Sequence, residues 1–129
     1  MSSIFSKIVS GEIPCYKVAE DEKFLAFLDI TPIKKGHVLV IPKIETDYIF
    51  DMDDNSIADF MVFTKKVSAK IKIAFPCKKI GVTVIGLEVP HTHIHLIPMN
   101  TLSDMNFQQE KLVFSQDEFK EIAEMIQNA

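Results

Sequence analysis

The stretch Val89-Pro-His-Thr-His-Ile-His-Leu-Ile-Pro98 places three histidines at alternate positions. Because successive side chains of an extended strand point to opposite faces, this spacing predicts a strand with its three imidazoles on one face, about 6.5–7 Å apart. Thr92, Ile94 and Leu96 would then point into an apolar layer on the other face. Since the chain has only 4 histidines, this alignment favours a chemical role over simple packing.

A row of aligned imidazoles permits three interpretations. The histidines could hold zinc in a tetrahedral site, with His37 as a fourth ligand from a neighbouring strand. One imidazole could instead attack phosphorus while its neighbours orient the substrate and move protons. The third interpretation, a solvated sheet face merely decorated with histidines, is the weakest because three lie in register between Pro90 and Pro98. Spacing alone does not choose between metal binding and nucleophilic catalysis.

The composition limits the class of protein. A chain of 129 residues with 47% hydrophobic and 25% charged residues is expected to form a single domain over 1–129. Its formal net charge of −4 argues against a nucleic-acid polymer as partner, and no apolar run is long enough to span a membrane. All 14 basic residues are lysines, so a bound anion would lack the bidentate contacts of arginine. Cys15 and Cys77 lie in no paired motif, which predicts free thiols in a cytoplasmic protein.

The pattern along the chain predicts an α+β fold. It comprises a five-stranded antiparallel meander sheet, one long central helix and short terminal helices. The predicted strands cover residues 16–19, 24–28, 36–42 and 80–85, and the histidine segment forms the fifth. The long helix begins at the capping sequence Asp53-Asp-Asn-Ser and ends before Pro76. The terminal helices are predicted over residues 3–9 and 117–127.

The histidine segment, His91-Thr-His-Ile-His-Leu-Ile, resembles the signature of the histidine-triad (HIT) nucleotide-binding family. Further stretches resemble the N-terminal half of that family. They are Ile4-Phe-Ser-Lys-Ile, Gly11-Glu-Ile-Pro, Phe24-Leu-Ala-Phe-Leu-Asp-Ile-Thr-Pro and Gly36-His-Val-Leu-Val-Ile-Pro-Lys. The resemblance covers residues 3–98 and places His37 at the position of the family's additional active-site histidine.

The resemblance implies a homodimeric hydrolase without a cofactor. It would bind a purine nucleoside monophosphate or a nucleotidyl conjugate and cleave at the α-phosphorus. His93 would be the nucleophile, forming a nucleotidyl-histidine that water hydrolyses, with its Nε2 free and its other ring nitrogen held as a donor, for which a backbone carbonyl is the expected partner. His91 and His95 would position phosphate oxygens, and His37 would support them from the adjacent strand.

The resemblance also assigns residues to the nucleoside. Asp29 is the expected ribose ligand, because a carboxylate can accept hydrogen bonds from both ribose hydroxyls. A turn-forming role before Thr31-Pro32 is the alternative. The base would lie in an apolar slot, although each of its members could instead be an ordinary core residue. These members are Ile4, Phe5, Ile8, Ile13, Phe27 and Ile30.

The chain departs from the family pattern before the triad. Here Gly86-Leu-Glu-Val-Pro forms a shortened loop in which Leu87 replaces a glutamine, and no matching asparagine precedes it. Gly86 and Glu88 are expected beside the phosphate, which an ionised Glu88 would repel unless it is protonated or turned away. A nucleotide-binding module with weak or no catalysis is therefore the alternative function.

A second departure concerns zinc. The zinc-binding branch of the family has a Cys-x-x-Cys near the N-terminus, and here Ser3 and Ser6 stand at those positions. Because hydroxyls are poor zinc ligands, no bound metal is expected, although zinc at the triad remains the third alternative.

Overall fold

The chain folds as an antiparallel sheet covered by helices. The computed structural model describes residues 2–129, which form five strands, three α-helices and two short 3-10 segments. Strands β1 to β5 cover Lys17–Glu20, Phe24–Leu28, Val38–Pro42, Lys79–Thr83 and Ile94–Met99. Helices α1 to α3 cover Ile4–Ser10, Asp54–Ala74 and Gln116–Gln127. The 3-10 segments cover Ile49–Asp51 and Leu102–Met105.

The strand order in the sheet is β1-β2-β3-β5-β4, and every neighbouring pair is antiparallel. The predicted α+β class and five-stranded antiparallel sheet are confirmed. The order differs from a simple meander, because the strand that follows β3 in the sheet is β5 and not β4. Since α2 connects β3 to β4, these strands need not be neighbours, and β5 lies between them. This order sets the histidine-bearing β5 beside β3, with Leu39 opposite His95.

Alternation along the strands divides their side chains between two faces of the sheet. One face lies beneath α2 and α3, and its buried residues are apolar. From the strands they include Phe24, Ala26, Leu28, Val38, Val40, Ile94 and Leu96. The other face, next to α1, carries a second apolar cluster formed by Phe5, Leu25, Phe27, Leu39 and Ile41. The prediction that Ile94 and Leu96 point into an apolar layer is confirmed.

Local capping explains where the helices begin and end. Ser3 caps α1, because its Oγ accepts the Ser6 N–H at 3.0 Å, and Gly11 ends the helix in a left-handed conformation with φ of 87°. Asp53 caps α2, and Ser115 opens α3 with a capping box. The predicted helices are confirmed to within one or two residues at each end.

Two further sequence predictions concern the thiols and the membrane. Cys15 and Cys77 are both free. Burial raises the pKa of the Cys15 thiol, which keeps it protonated at neutral pH. Among residues 2–129, no helix combines the length and the apolar character needed to cross a bilayer.

Candidate active site

All four histidines are buried on the sheet face next to α1. Strand β5 begins at Ile94, so only His95 lies within it, while His91 and His93 directly precede it. The extended segment is therefore shorter at its start than predicted. His37 comes just before β3, the neighbour of β5 in the sheet. None of the four is more than 9% exposed.

The ring of His93 is held with one nitrogen available for chemistry. Its Nδ1 lies 2.8 Å from the carbonyl oxygen of His91, and because a carbonyl only accepts, Nδ1 must carry the proton. In the neutral ring, Nε2 therefore keeps its lone pair. No buried side-chain nitrogen or oxygen within residues 2–129 lacks a hydrogen-bond partner, so the unpartnered Nε2 must reach the surface. The predicted backbone-held tautomer is confirmed.

His37 and His95 form a chain of oriented donors. The Ile33 N–H donates to Nδ1 of His37 at 3.1 Å, which places the proton of neutral His37 on Nε2. This Nε2–H lies 2.9 Å from Nδ1 of His95 and 3.4 Å from Oδ2 of Asp29. Because Nδ1 of His95 accepts, its own proton lies on Nε2. This series of hydrogen bonds thus ends in the Nε2–H of His95, and the centroid of the His95 ring is 5.0 Å from that of His93.

Burial keeps these two histidines neutral. It lowers the pKa of both His37 and His95 from 6.5 to about 4. The carboxylate of Asp29 opposes this shift by favouring protonation, whereas the positive charge of Lys111 lowers the pKa of His37 further. At neutral pH both rings therefore have the single proton that the hydrogen bonds require.

His91 differs from the prediction. Its Nε2–H donates to the Pro42 carbonyl at 2.8 Å, and its Nδ1 accepts from the Ser3 hydroxyl at 2.8 Å. The ring is 0% exposed, so neither nitrogen is free to meet a phosphate oxygen. His91 supports the site instead, because its carbonyl holds His93 in the tautomer described above.

Asp29 lies at the edge of this group in the turn that the sequence suggested as its alternative role. Its Oδ1 accepts from the Thr31 N–H at 2.8 Å and from the Thr31 hydroxyl at 3.0 Å. Its Oδ2 faces Nε2 of His37 at 3.4 Å, and 15% of the side chain is exposed. The turn therefore holds the carboxylate beside the histidines, and its ribose contact stays a prediction.

The six residues predicted to line a base slot separate into two groups. Phe5 contacts His93 edge-on with ring centroids 5.0 Å apart, and it contacts Phe27 at 5.7 Å. Ile8 packs against the same apolar cluster. The other three lie outside this cluster, half-buried or exposed: Ile4, Ile13 and Ile30.

The loop before the triad contains Gly86 and Glu88, whose contacts with a phosphate stay predictions. Gly86 adopts a left-handed conformation with φ of 69°, which favours glycine at that position. Leu87 is 89% exposed, and Glu88 is exposed as well. An exposed Glu88 can turn away from an anion, which removes the expected repulsion.

Phe107 is a site residue that the sequence did not suggest. Its ring meets His95 edge-on at a centroid distance of 4.9 Å and His37 at 6.2 Å. Lys111 donates to the Phe107 carbonyl, and its Nζ lies 6.0 Å from the ring centroid. Both residues lie in irregular chain between β5 and α3, where no periodicity indicates which side chain points inward.

Two groups of side chains bear on metal binding. Asp29, His37 and His95 each offer one ligand atom within 4.8 Å of the others. A proton already joins the facing nitrogens of His37 and His95 at 2.9 Å, and a metal would have to displace it. The alternative of a four-histidine zinc site is wrong, because His91 directs both ring nitrogens to protein groups.

The second group occupies the position of the Cys-x-x-Cys motif. Oε1 of Glu45 accepts from the Ser6 hydroxyl at 2.8 Å, and Ser3 donates to His91. This set contains one imidazole, one carboxylate and two hydroxyls, and the hydroxyls are engaged in hydrogen bonds. It does not fit a tetrahedral zinc site of thiolate and imidazole ligands.

The geometry agrees with comparisons to known proteins. Residues 10–102 match the family model of the HIT domain. The adenosine 5'-monophosphoramidase hnt1 of Schizosaccharomyces pombe is 43% identical over 99 residues, which cover 76% of this chain and 74% of the relative. A HIT-like protein involved in cell-cycle regulation from Bartonella henselae superposes with a TM-score of 0.85 at 29% identity, covering 98% of this chain and 95% of that one.

A Zn-bound histidine triad family protein from Mycobacterium smegmatis has the same fold. It superposes with a TM-score of 0.82 at 26% identity, covering 99% of this chain and 92% of that one. The histidine row, the sheet that carries it and the match over residues 10–102 lead to one conclusion. This chain belongs to the HIT domain family.

Proposed function

We propose that this protein is a nucleotide hydrolase of the phosphoramidase type, in which Nε2 of His93 attacks the α-phosphorus of a purine nucleoside phosphoramidate or a related nucleotidyl conjugate. The observation that carries the proposal is the hydrogen bond from Nδ1 of His93 to the His91 carbonyl at 2.8 Å, which leaves the Nε2 lone pair free. The similarity to the S. pombe phosphoramidase supports the choice of substrate class.

The reaction proceeds in two displacements. In the first, a bond forms between Nε2 of His93 and phosphorus while the bond from phosphorus to the leaving nitrogen breaks. The leaving amine takes a proton from Nε2–H of His95 or from water. In the second, a water oxygen bonds to phosphorus while the bond from phosphorus to Nε2 of His93 breaks. The nucleoside monophosphate leaves, and one proton of the attacking water passes to the group that protonated the amine. Nδ1–H of His93 donates to the His91 carbonyl throughout, and this carbonyl oxygen stabilises the positive charge that develops on the ring.

His95 and His37 stabilise the transition state in this proposal. The Nε2–H of His95 points out of the donor chain, so it can donate to a phosphate oxygen or to the leaving group. His37 holds that ring through its own Nε2–H, fixed in turn by the Ile33 N–H. Because burial lowers the pKa of both rings to about 4, they act as neutral donors rather than as cations.

The nucleoside would lie on the α1 side of the site. Asp29 would accept from the ribose hydroxyls, and the base would pack on the cluster that contains Phe5, Ile8 and Phe27. Ile4, Ile13 and Ile30 would close the slot from its exposed side. All six side chains of this slot are apolar, so none of them can select a base by hydrogen bonding. The proposed purine preference is therefore taken from the resemblance to the family.

We further propose a cytoplasmic homodimer with α2 and β4 at its interface. Strand β4 is an edge of the sheet, where Val82 is 51% exposed. Helix α2 exposes three apolar side chains, Met61 at 45%, Val62 at 53% and Ile73 at 67%. Covering such side chains in a second copy would remove them from water.

The test combines turnover with detection of the intermediate. Purified protein is incubated with a panel of adenosine and guanosine 5'-phosphoramidates and dinucleoside polyphosphates, and intact mass after rapid quenching detects an acid-labile nucleotidyl adduct. The His93→Asn variant is the informative comparison, because its side-chain amide can still donate to the His91 carbonyl but has no nucleophilic nitrogen. We expect the adduct and nucleoside monophosphate release from wild type and neither from the variant. Equal turnover by wild type and the His93→Asn variant would rule out His93 as the nucleophile.

The alternative is a nucleotide-binding module with weak or no catalysis. The exposed Leu87, at the position of a family glutamine, favours it because the loop then offers the phosphate one donor fewer. This alternative predicts saturable binding of a nucleoside monophosphate by calorimetry, with no adduct on His93 for any substrate in the panel.

A further inference from the structure

A second polar cluster lies behind the triad, on the side of His91 that the proposed reaction does not use. It consists of Ser3, Ser6, Glu45 and His91, and we call it the Ser3–Glu45 cluster. Oε1 of Glu45 accepts from the Ser3 N–H at 2.6 Å and from the Ser6 hydroxyl at 2.8 Å. The Ser3 hydroxyl accepts from the Ser6 N–H at 3.0 Å and lies 2.8 Å from Nδ1 of His91.

The hydrogen bonds of this cluster allow one arrangement of protons. Because Nε2 of His91 faces the Pro42 carbonyl at 2.8 Å, Nε2 carries the proton and Nδ1 must accept. The Ser3 hydroxyl must therefore donate to Nδ1. The Ser6 hydroxyl is 3.4 Å from the same nitrogen, but its proton is used on Glu45 at 2.8 Å. This arrangement holds for a neutral His91, and an ionised Glu45 accepts both of its donors without needing a proton of its own.

The charge state of Glu45 agrees with this arrangement. The Ser3 N–H, followed by the Ser6 and Ser3 side chains, lowers the pKa of Glu45 from 4.5 to about 2, so the carboxylate is ionised at neutral pH. Burial lowers the pKa of His91, which favours its neutral form. Within residues 2–129 the cluster leaves no buried side-chain nitrogen or oxygen unpartnered.

The cluster is connected to the nucleophile through a single residue. The ring of His91 is held between the Ser3 hydroxyl at the start of α1 and the Pro42 carbonyl at the end of β3. The carbonyl of this same residue accepts Nδ1–H of His93. A shift or rotation of His91 therefore moves the acceptor that defines the tautomer of His93.

We propose that Ser3, Ser6 and Glu45 are positioning residues for His93, acting through His91. They fix the His91 ring, and so its carbonyl, where it keeps the Nε2 lone pair of His93 directed at the substrate. The proposal deepens the function proposed above and rests on it for its kinetic consequence. In this chain a hydrogen-bonded cluster of two hydroxyls and a carboxylate joins α1 to the triad.

The competing explanation is purely structural. Ser3 is also the N-cap of α1, so its loss would destabilise the helix whether or not it positions His93. The two explanations differ in what they predict for the histidine rings. A cap affects the stability of α1 alone, whereas a positioning role also affects the imidazole tautomers and kcat.

The test uses Ser3→Ala and Glu45→Ala, with Ser10→Ala as the matched control. Ser10 is in the same helix and donates only to the Lys7 carbonyl at 3.0 Å on the exposed side. Long-range proton–nitrogen NMR spectra report which ring nitrogen of each histidine carries the proton. In Ser3→Ala and Glu45→Ala we expect a shifted Nδ1 resonance for His91, whose Nε2 stays bonded to the Pro42 carbonyl, and a mixture of tautomers for His93. The rings should be unchanged in Ser10→Ala.

Kinetics give the second measurement. We expect kcat to fall about 10–100-fold in Ser3→Ala and Glu45→Ala, with KM within about twofold of wild type, because the reacting nitrogen is misplaced while the nucleotide contacts remain. Ser3→Thr retains a hydroxyl and should recover most of the activity. Ser10→Ala should behave as wild type.

The outcomes separate the possibilities. If both cluster variants lose stability but keep the wild-type kcat and ring tautomers, the cluster is only a cap and the positioning proposal is wrong. If wild type forms no adduct with any substrate, the proposed function fails, and the NMR spectra, which need no substrate, still decide whether the cluster orients the rings. Should Ser3→Ala not fold, Glu45→Ala carries the test, because Glu45 lies on the surface outside the helices and strands.

Discussion

The sheet face beneath α2 and α3 and the face next to α1 are built from the same strands, yet they differ in the interactions they use. On the first face, Ile94 and Leu96 are 1% and 0% exposed among apolar side chains. On the second, His93 and His95 are also buried, but each ring has a hydrogen bond that sets its proton position. Apolar contacts tolerate small rotations, whereas these hydrogen bonds fix an orientation. Neighbouring residues of one segment therefore serve apolar packing and ring orientation separately.

The largest predicted effect is on the histidine face. In His95→Asn the side-chain oxygen can still accept from Nε2–H of His37, but no donor replaces Nε2–H of His95. We expect kcat for nucleoside monophosphate release to fall about 10²–10⁴-fold, roughly 3–5 kcal/mol of transition-state stabilisation, with little change in the free energy of unfolding. His95→Gln, whose amide nitrogen reaches near the lost Nε2–H, should recover part of the activity. A kcat within about threefold of wild type in His95→Asn would mean that His95 takes no part in the reaction.

The next effect is on the helix-covered face, one residue along the chain. Leu96→Ala opens a cavity against α2 and should lower the free energy of unfolding by about 2–5 kcal/mol, measured by urea denaturation. The kcat of the folded fraction should stay within about threefold of wild type. The control is Val113→Ala, which is 92% exposed in wild type and should change stability by about 0.5 kcal/mol or less. A large loss of kcat in Leu96→Ala without loss of stability would contradict the separation of the two faces.

Lowering the pH should reduce the contribution of His37 and His95 to the free energy of unfolding. The pKa of His37 and His95 is about 4 in the folded chain and 6.5 when the rings are free, so between these values the unfolded chain binds more protons. The free energy of unfolding should therefore be fully maintained above pH 6.5 and should fall by roughly 2–5 kcal/mol on going down to pH 4.5.

The pH window isolates the histidines from the carboxylates. The pKa of Glu45 and of Asp104 is held at about 2, so their contribution is lost only below their ordinary values near 4. Denaturation curves at intervals from pH 7 to 4.5 measure the slope. The His37→Gln variant lacks one of the two buried imidazoles, so its free energy of unfolding should depend less steeply on pH. A constant free energy of unfolding across this range would mean that the two rings are protonated without cost in the folded chain.

The smallest predicted effect is at the edge between the site and solvent. Asp29→Asn keeps an oxygen for the turn to Thr31 but loses the charge and one acceptor. We expect nucleoside monophosphate to bind about 3–10-fold more weakly by calorimetry, about 1 kcal/mol, with kcat nearly unchanged. A 2'-deoxynucleotide should lose less affinity on this substitution than the ribonucleotide. Equal losses for both would argue against a ribose contact.

Sequence reasoning predicted those features that depend on short-range periodicity. Alternation along β5 placed Ile94 and Leu96 on the apolar face and the histidines on the other. The backbone-held tautomer of His93 was implied by the family resemblance, and the structure contains the expected hydrogen bond. Capping residues such as Asp53 marked the helix ends. These features need only local geometry, which the sequence pattern specifies.

Apart from His37, which the resemblance set beside the triad, features that depend on contacts between distant segments were not predicted. The role of His91 depends on Ser3, 88 positions away in the chain, so the spacing of two within the triad could not reveal it. Phe107 reaches the site because the irregular chain after β5 folds back, where the Leu112 N–H donates to the Pro32 carbonyl at 2.8 Å. The edge position of β4 was also hidden, because the sequence pattern does not report which strands become neighbours.

The family match ends at residue 102 and begins at residue 10, so the N-terminal and C-terminal arms that touch the histidines both lie outside it. Ser3 reaches the triad from one arm, and Phe107 reaches it from the other. Because both arms contact histidine rings directly, substitutions in them change the packing and hydrogen bonding around those rings while the sequence of the strands stays the same. The immediate surroundings of the histidine rings are thus set partly by residues beyond the matched domain, so a match to the domain model alone does not specify them.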